Sequence, residues 1–569
     1  MSTLLPVGTV AELFEARADD DHVGLRFEDS SWTWREVVAE ARARAGFLRS
    51  QHGTGPFHVG VLLENVPEFL FLLGGAALAG ATVVGINSTR RGEELARDIR
   101  HTDCELIVTE SSLAGLLDGL DTGVAPDRVL RSDSVAYATA VAGHRADPAH
   151  GGKGFDAVCR DPAALYLLLF TSGSTGAPKA VRVSQGRIAQ AGRTMASGSG
   201  FGPDDVLYCA MPMFHGNALN ACVVPAVAAG ATLALRRRFS ASAFLPDVRR
   251  FGTTYFNYVG RALAYVLATD PSPDDADNRL RFGFGTEASP QDIVTFGRRF
   301  ACPIVEGYGS SEGAIAMSRA PGTPRHALGK PLPGMDVTVL DPVSGVECAP
   351  ARFDPAGTLL NASDAIGEIV ARDGVARFEG YYANDEADAE RTRFGWFWSG
   401  DLGYRDADGF FYFAGRPTDW LRVDGENFAA APVERVLGRF PATVTVAVYP
   451  VPDPVTGDQV MAAIELVPGV AFDPDAFGLF LAGEPDLGIK WAPRFIRIID
   501  HVPTTGTNKV DKRPLRAEGW VRCGSDPLWW RPDGRNGGYR TFSVTDAQAL
   551  RREFEDNGRG AFLPPETSG

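Results

Sequence analysis

Two segments of this chain share a pattern in which an apolar helix, a glycine and a short β-branched strand follow one another. Ala79-Gly80-Ala81-Thr82-Val83 is matched by Ala229-Gly230-Ala231-Thr232-Leu233. Glycine ends a helix readily because it adopts the left-handed conformation without steric cost, and a strand that is apolar throughout is typical of a strand covered on both faces. The repeat therefore predicts two related α/β layers, each with a buried helix leading into a buried strand.

The character of the chain changes twice along its length, which indicates several folding units. Helix and strand patterns alternate from Val7 to about Leu340, and short strands with Gly and Asp turns follow to about Ala414, with a hairpin signal at Asp408-Gly409. A compact α+β pattern comes next, and 569 residues are more than one domain usually holds. We predict an α/β protein with a large N-terminal body (1–415) made of two α/β layered subdomains and a small β subdomain. A hinge (416–419) would join it to a small mobile α+β lid (420–520), and a tail (521–569) would pack on the body.

Charge and cysteine content exclude several classes of function. The formal net charge is −15 and the isoelectric point is near 5.2, which argues against nucleic acid as a partner because phosphate contacts need a basic face. The seven cysteines are scattered and form no Cys-x-x-Cys pair, so we predict neither a disulfide framework nor a zinc site. Reduced thiols of this kind are typical of the cytoplasm, which is the predicted location.

One uncharged segment, Phe69 to Ile86, is just long enough to cross a membrane. Four glycines interrupt it, and its second part has the composition of a short strand. We therefore predict no transmembrane span, and the absence of a basic stretch before an apolar core near Met1 predicts no signal peptide. Peripheral contact with a membrane stays open.

The strongest local signal is an apolar strand that runs into a loop rich in Ser, Thr and Gly and then a lysine, from Leu167 to Lys179. Glycines let backbone N–H groups approach phosphate oxygens, hydroxyl groups add donors, and a lysine adds a positive charge. The loop is not a Walker A motif, in which Gly-Lys precedes Ser or Thr directly. A polar connection between two elements is the simpler interpretation, but the full order of residues favours a phosphate-binding loop.

Further short motifs follow this loop in a fixed order along the chain. They are Met213-Phe214-His215-Gly216, Thr286-Glu287-Ala288, Tyr308-Gly309-Ser310-Ser311-Glu312, Ser399-Gly400-Asp401, Gly415-Arg416 and Thr505-Gly506-Thr507-Asn508-Lys509. Together with the loop, they resemble the signatures of the adenylate-forming superfamily, which includes acyl-CoA synthetases, luciferases and carrier-loading adenylation domains. The resemblance covers about Val7 to Leu515. Gly425-Glu426-Asn427 and the long tail are most similar to the very-long-chain acyl-CoA synthetase and fatty-acid-transport-protein branch.

This resemblance implies a site for ATP and Mg²⁺. Glu312 would hold Mg²⁺, a hard ion that prefers carboxylate and phosphate oxygens. Simpler interpretations exist for single residues: Tyr308 could be a core aromatic, Asp401 a turn residue and Arg416 a surface cation. The residues that the resemblance assigns to ATP are Thr171, Ser172, Gly173, Ser174, Thr175, Gly176 and Lys179 in the phosphate loop; Thr286, Glu287, Ala288 and Tyr308 at adenine, with Gly309, Ser310 and Ser311 of the same motif as Tyr308; Asp401 at ribose; and Arg416 at ribose or phosphate.

Lys509 carries the sharpest prediction. Adenylation brings a substrate carboxylate against the α-phosphate of ATP, and a cation that bridges the two groups lowers the cost of that approach. The resemblance implies that Lys509, in a loop of the lid, supplies this cation. It also implies that His215 lies by the reacting carboxylate, where we favour gating over acid–base chemistry. Lys512 is predicted to be a solvated cation.

The resemblance implies an AMP-forming acyl-CoA ligase, with ATP, Mg²⁺ and CoA as its cofactor and cosubstrates and a small carboxylic acid as its substrate. Gly425 would lie at the CoA site, and Thr418 and Asp419 would form the hinge. The family usually has Asp or Lys where this chain has Thr418, which leaves the thioester step less secure than adenylation. Two alternatives stay open: a ligase that only makes the acyl-adenylate and passes it to a carrier protein or partner enzyme, and a membrane-associated fatty-acid uptake protein.

The acyl pocket is the least determined part of the predicted site. We expect it to include Tyr258, Gly260, Gly313 and Ala314, because small residues near the motifs leave room for a long or bulky apolar acid. Unbranched fatty acids, sterol side-chain acids and polycyclic terpenoid acids all fit this expectation.

Overall fold

The computed structural model shows an α/β fold built on five β-sheets, with a large N-terminal part and a small C-terminal part. It describes residues 8–145, 158–171, 179–288, 290–324, 326–355, 359–415, 420–423, 426–455, 457–484, 487, 490–505, 509–521, 523–532 and 537–563. The phosphate-loop residues Ser172, Gly173, Ser174, Thr175 and Gly176 lie outside these ranges, as do Arg416, Thr418, Asp419 and Gly425.

Strands and helices alternate along most of the body. The strands are β1 (Val23–Phe27), β2 (Ser30–Thr33), β3 (His58–Leu62), β4 (Thr82–Gly85), β5 (Leu106–Thr109), β6 (Val129–Arg131), β7 (Leu165–Thr171), β8 (Lys179–Ser184), β9 (Val206–Cys209), β10 (Thr232–Leu235), β11 (Tyr255–Val259), β12 (Phe282–Thr286), β13 (Ile304–Gly309), β14 (Ala316–Ser318), β15 (Lys330–Pro331), β16 (Val337–Leu340), β17 (Gly367–Ala371), β18 (Phe397–Arg405) and β19 (Phe411–Gly415). The α-helices are α1 (Val10–Glu15), α2 (Trp34–Gln51), α3 (Pro67–Ala79), α4 (Gly92–His101), α5 (Ser111–Ala114), α6 (Val135–Ala142), α7 (Gln185–Ser199), α8 (Gly216–Ala218), α9 (Val224–Ala229), α10 (Ala241–Phe251), α11 (Ala262–Leu267), α12 (Pro290–Phe300), α13 (Ala362–Ala365) and α14 (Asp385–Arg391).

Two large sheets with helices between and around them form most of the body. One has the order β15-β14-β13-β12-β11-β9-β10-β1-β2 and the other β6-β5-β3-β4-β7-β8. A core of buried residues runs across both sheets and includes Trp34, Phe69 and Tyr255. Strands β16 to β19 form a separate four-stranded antiparallel sheet. These three sheets confirm the predicted fold class.

The repeated helix–glycine–strand pattern is present in both large sheets. Helix α3 ends at Gly80 with φ of 77°, and α9 ends at Gly230 with φ of 70°. Each glycine leads into a strand with four buried residues, β4 and β10. The segment Phe69 to Ile86 is thus a core helix and strand, and within the described residues no helix has both the length and the hydrophobicity that crossing a bilayer requires.

The lid contains two more sheets. Its strands are β20 (Trp420–Val423), β21 (Glu426–Ala429), β22 (Thr443–Pro452), β23 (Asp458–Leu466) and β24 (Phe495–Ile498), and its helices are α15 (Ala430–Leu437), α16 (Pro474–Gly483) and α17 (Lys512–Glu518). Strands β20 and β21 pair as a hairpin, and β22 to β24 belong to a five-stranded sheet.

The tail completes this five-stranded sheet. Strand β25 (Leu528–Trp530) pairs with β24, β26 (Arg540–Thr541) pairs with β25, and helix α18 (Val544–Asp556) follows. Leu550 and Phe554 of α18 are buried in one core with Phe495 and Trp520 of the lid. The prediction that the tail packs on the body is therefore wrong for its described residues. Its few apolar side chains are part of a core that the lid completes, and its strands cover an edge that β24 would otherwise expose.

Candidate active site

A large open cleft lies where the carboxyl ends of the body strands, helix α7, the four-stranded sheet and the lid meet. Its volume is about 3130 Å³, whereas ligand sites are usually about 300–1,000 Å³. Residues from most of the predicted motifs line it, including Thr171, His215, Tyr308, Asp401 and Lys509, whereas Gly415 of the Gly415-Arg416 motif does not. The cleft therefore has room for a nucleotide and a bulky acid together.

The two ends of the predicted phosphate loop face each other at the cleft. Thr171 ends β7 and Lys179 begins β8, and the two residues are paired in an antiparallel ladder. The Lys179 side chain is buried, and its Nζ lies 3.0 Å from Oε2 of Glu390. A buried ammonium group at this position gives the loop a fixed positive charge, which is compensated by a carboxylate near the surface.

Glu312 is a buried carboxylate on the turn after β13. Its Oε1 accepts a hydrogen bond of 2.7 Å from the Tyr381 hydroxyl, which Arg391 also contacts at 3.3 Å. Burial and the negative charge of Glu312 raise the pKa of Tyr381 above its usual value, so this phenol stays a donor. Tyr381 and Arg391 are absent from the sequence prediction, and only the Gly-Tyr-Tyr run at 380–382 could have pointed to the tyrosine.

Arg187 on helix α7 fixes the backbone of the same turn. It donates to the carbonyl oxygen of Ser311 and lies 3.6 Å from Glu379. Gly313 has φ of +69°, and a Cβ there would lie 2.5 Å from the Arg187 guanidinium. Gly313 lines the cleft, but its size is required by its backbone conformation and by Arg187.

The residues assigned to adenine and ribose lie together. The Tyr308 hydroxyl donates to Oδ2 of Asp401 at 2.7 Å, which joins β13 to β18. Thr286, Glu287, Ala288, Gly309, Ser310 and Ser311 line the same region of the cleft. The structure thus places these residues side by side, and the ligand assigned to them stays a prediction.

Glu306 is a site residue that the sequence analysis did not identify. Its Oε1 accepts hydrogen bonds from the Ala288 backbone N–H at 2.8 Å and from the Tyr258 hydroxyl at 3.1 Å. Burial raises the pKa of Glu306 to about 7, although both hydrogen bonds act in the opposite direction. The side chain lines the cleft and ties the 286–288 segment to β13.

The two residues that were predicted to lie by the reacting carboxylate, His215 and Lys509, come from the body and the lid and both line the cleft. His215 is half-buried and packs against Phe214, with ring centroids 4.4 Å apart, and it precedes α8 and a π-helical turn at 219–223. Burial, with a smaller contribution from the Lys509 charge, lowers its pKa to about 3, so the imidazole is neutral. Among the described residues, its Nε2 has no hydrogen-bond partner. A neutral ring facing a cleft is suited to packing or gating.

Lys509 reaches across the cleft from the lid to the body. Its Nζ lies 2.6 Å from Oε1 of Glu287, and both side chains are about half exposed. Lys512 instead pairs with Glu434 inside the lid at 2.7 Å and is mostly buried. The prediction of a solvated Lys512 is therefore wrong, because Glu434 on helix α15 provides a partner for this lysine at the start of α17.

A second contact between body and lid is buried. The Arg261 guanidinium, at the start of α11, lies 3.5 Å from Oε2 of Glu465 on β23, and the two side chains are 8% and 7% exposed. Glu465 Oε2 also accepts the Val502 N–H at 3.0 Å. Burial lowers the pKa of Arg261, while the negative groups around it act in the opposite direction.

Two of the four residues predicted for the acyl pocket line the cleft, and their role in holding the acid stays a prediction. Gly260 and Gly313 line the cleft. Tyr258 and Ala314 are corrections: both are buried in hydrophobic cores, Tyr258 with its hydroxyl on Glu306 and Ala314 under the four-stranded sheet. One face of helix α7 also lines the cleft, through Gln190, Ala191 and Thr194 at helical spacing, and these residues were not among the predicted ones.

Comparison with known proteins gives consistent matches. A family model described as AMP-binding enzyme matches residues 14–382. A steroid-22-oyl-CoA synthetase of Rhodococcus jostii is 51% identical over 98% of this chain and 99% of its own length. A medium/long-chain-fatty-acid–CoA ligase, FadD17, of Mycobacterium marinum is 47% identical over 92% of this chain and 98% of its own.

Solved structures share the fold at lower identity. The ATP-bound RpMatB-BxBclM chimera B3 has a TM-score of 0.77 and 23% identity, with 91% of this chain and 100% of that chain covered. The anthranilate CoA ligase AuaEII in complex with anthranoyl-AMP has a TM-score of 0.75 and 20% identity, with 91% and 98% covered. At these identities, the likeness establishes the fold alone.

Proposed function

Because this chain belongs to the AMP-binding enzyme family, we propose that it is an ATP-dependent acyl-CoA ligase that activates a long or bulky apolar carboxylic acid. The observation that carries the proposal is the convergence of Glu312 from the body and Lys509 from the lid on one cleft. A carboxylate suited to Mg²⁺ and a cation suited to an acyl phosphate then face the same substrates.

The choice of acid rests on relatives and on the cleft. The relative named steroid-22-oyl-CoA synthetase is similar over nearly the whole chain, and a steroid side-chain carboxylate is therefore the substrate that we test first. On the face of α7 that lines the cleft, Gln190 and Thr194 are exposed to solvent and Ala191 has a small side chain. A polycyclic group therefore has space beside this face. Fatty acids are the second choice, since the FadD17 relatives are named for them.

In the first half-reaction, the carboxylate of the acid attacks the α-phosphate of ATP, which forms an acyl-adenylate and releases pyrophosphate. Lys509 compensates the like charges that meet in this step. Asp401 accepts the ribose hydroxyls, and Tyr308 holds Asp401 in place through its 2.7 Å hydrogen bond. His215 is neutral at physiological pH because its pKa is about 3; it therefore orients or admits the carboxylate without repelling or trapping it.

The donor set around Glu312 is suited to a Mg²⁺ ion that is held mainly by nucleotide phosphates. Among the described residues, no group of three or more His, Cys, Asp or Glu side chains could hold a metal alone, and Mg²⁺ in such sites takes one or two protein carboxylates with phosphate oxygens. Glu312, positioned by Tyr381, would be that carboxylate. The bound ion supplies neutralising charge to the phosphates.

In the second half-reaction, the CoA thiolate attacks the acyl-adenylate and AMP leaves. We propose that the lid (420–520) rotates on the body (1–415) between the steps, at hinge residues 416–419, so that Lys509 leaves the cleft and the CoA site near Gly425 approaches it. The seven cysteines are free in the structure, which supports a reducing compartment, and we place the reaction in the cytoplasm.

A pyrophosphate-release assay with and without CoA, on a panel of steroid side-chain acids and fatty acids, tests the proposal. We expect acid-dependent release that CoA accelerates, with acyl-CoA as the product. Release without any thioester would favour the alternative of an adenylation-only enzyme that hands its product to a carrier protein or partner. If cells take up fatty acid but the protein forms neither acyl-adenylate nor acyl-CoA, the alternative of an uptake protein would be favoured. A relative that is 29% identical is named long-chain fatty acid transport protein 1, of Mus musculus.

A further inference from the structure

We propose that Glu287 is a positioning residue: it holds Lys509 in the cleft before the substrates arrive, and the substrate carboxylate then takes its place. The proposal rests on the function proposed above, in which Lys509 acts on the acyl phosphate. It adds a role for Glu287 that differs from lining the adenine pocket.

The contact joins two parts of the chain that move relative to each other in this proposal. Lys509 Nζ and Glu287 Oε1 are 2.6 Å apart, although the residues are separated by 222 positions in sequence. About half of each side chain is exposed, so a ligand can reach the pair from the open cleft. A carboxylate of the body thus holds the lid lysine inside the cleft.

The backbone of Glu287 is held in an unusual conformation. Its φ is +71°, a left-handed value that is uncommon for a non-glycine residue. The next peptide is held in place, since the Ala288 N–H donates to Glu306 at 2.8 Å and the Tyr258 hydroxyl donates to the same Glu306 oxygen. Strain maintained in this way is common at functional sites, and here it directs the Glu287 carboxylate at Lys509.

The chemistry of the pair explains why it would be temporary. Glu287 presents a carboxylate to Lys509, which is the group that the substrate acid also presents. An exposed ion pair is weak, at about 0.2–1 kcal/mol, so a carboxylate adjoining an ATP phosphate can displace it. Glu287 therefore keeps Lys509 near His215 without blocking the reaction.

Competitive labelling of lysine amines tests the proposal on the whole enzyme. Wild type and Glu287→Gln, both without nucleotide, are treated with a trace of acetic anhydride, and mass spectrometry compares Lys509 with Lys512. Because ion pairing shields Nζ, loss of a pair worth up to about 1 kcal/mol predicts about two- to fivefold faster acetylation of Lys509 in the variant. Lys512 is paired with Glu434 and should keep its rate.

The matched control is Glu434→Gln, which should raise the labelling of Lys512 and leave Lys509 unchanged. Equal labelling of Lys509 in wild type and Glu287→Gln would overturn the proposal, as would faster labelling of both lysines, which indicates general loosening of the lid. A separate arm adds a nonhydrolysable ATP analogue with the acid. Protection of Lys509 by these ligands in both proteins supports its proposed role. If Lys509 is labelled faster in Glu287→Gln but the ligands protect it in neither protein, the ion pair with Glu287 is supported and the proposed role of Lys509 in adenylation is contradicted.

Discussion

Replacing Glu465 with glutamine tests whether the buried contact with Arg261 keeps the lid closed for adenylation. The two side chains are 8% and 7% exposed and lie 3.5 Å apart. Glutamine keeps an oxygen for the Val502 N–H, which Glu465 accepts at 3.0 Å, but it removes the negative charge. The closed lid would then bury the Arg261 guanidinium without the carboxylate that faces it now.

The size of the effect follows from the geometry. Removing one partner of a buried ion pair costs about 3–5 kcal/mol. The separation of 3.5 Å is long for a charge-assisted hydrogen bond, and an opening lid lets water reach Arg261, so we expect about 2–3 kcal/mol against the closed state. At about 1.36 kcal/mol per tenfold change, the ratio of closed to open lid should fall about 30- to 150-fold.

Single-turnover kinetics of the two half-reactions measure this shift. Glu465→Gln should slow the formation of acyl-adenylate from ATP and acid, and it should leave the conversion of supplied acyl-adenylate and CoA to thioester unchanged. Adding Arg261→Met removes the unpaired charge and should restore much of the adenylation rate. Unchanged adenylation in Glu465→Gln, or equal slowing of both half-reactions, would refute the reasoning.

Four further results are expected. Glu312→Gln should lower adenylation by orders of magnitude, with partial recovery in excess Mg²⁺; a native rate would assign Glu312 to structure alone. Lys509→Ala should raise the activation barrier of adenylation by about 3–4 kcal/mol but should still convert supplied acyl-adenylate to thioester; loss of both steps would contradict this. The pKa of Glu306, about 7 in the fold, lies above its usual value, so this carboxyl favours the fold at low pH and the benefit is lost as pH rises through 7. Glu306→Gln should therefore raise Tm more at pH 8 than at pH 5, and an equal change at both would contradict the burial argument. Deleting residues 524–569 should lower the Tm of the lid and leave that of the body unchanged, which calorimetry can resolve; a native thermogram would contradict it.

Local patterns in the sequence predicted much of the fold. The helix–glycine–strand repeats were predicted correctly because Gly80 and Gly230 act through their own backbone conformation. The hairpin at Asp408-Gly409 connects β18 to β19, as its turn residues predict. Such signals need no knowledge of distant residues.

Contacts between distant residues could not be predicted in the same way. Tyr381 and Glu312 are 69 positions apart, and the hydrogen bond between them depends on the segment of Tyr381, which pairs with Val181 of β8, lying beside the turn after β13. Tyr258 lies in a strand buried on every side, which its position near the motifs did not indicate. The tail has too few apolar residues for a core of its own, so its place on the lid depended on an unpaired strand edge that sequence alone does not reveal.

The motifs predicted which residues approach the cleft better than they predicted how those residues are held there. Tyr308, Asp401, Glu312 and Lys509 all line it. Their supports, such as Arg187 behind the Ser311 turn, belong to no motif. A motif records the groups that would meet a ligand, whereas the groups that orient them depend on packing.

The sheet shared by lid and tail has a consequence for how the protein is made. A ribosome synthesises residues 1–415 first, and the body sheets contain no strand from later in the described chain. The lid sheet, in contrast, is complete only after β25 and β26 have been synthesised. The core shared by lid and tail is complete only after Phe554. At about 5–20 residues per second, the roughly 140 residues between Gly415 and Phe554 take about 7–28 s to appear. During that time a nascent chain carries a body whose sheets are complete and a lid whose five-stranded sheet lacks two strands, and messages cut short within this interval would yield a nucleotide cleft with an incomplete lid to close it.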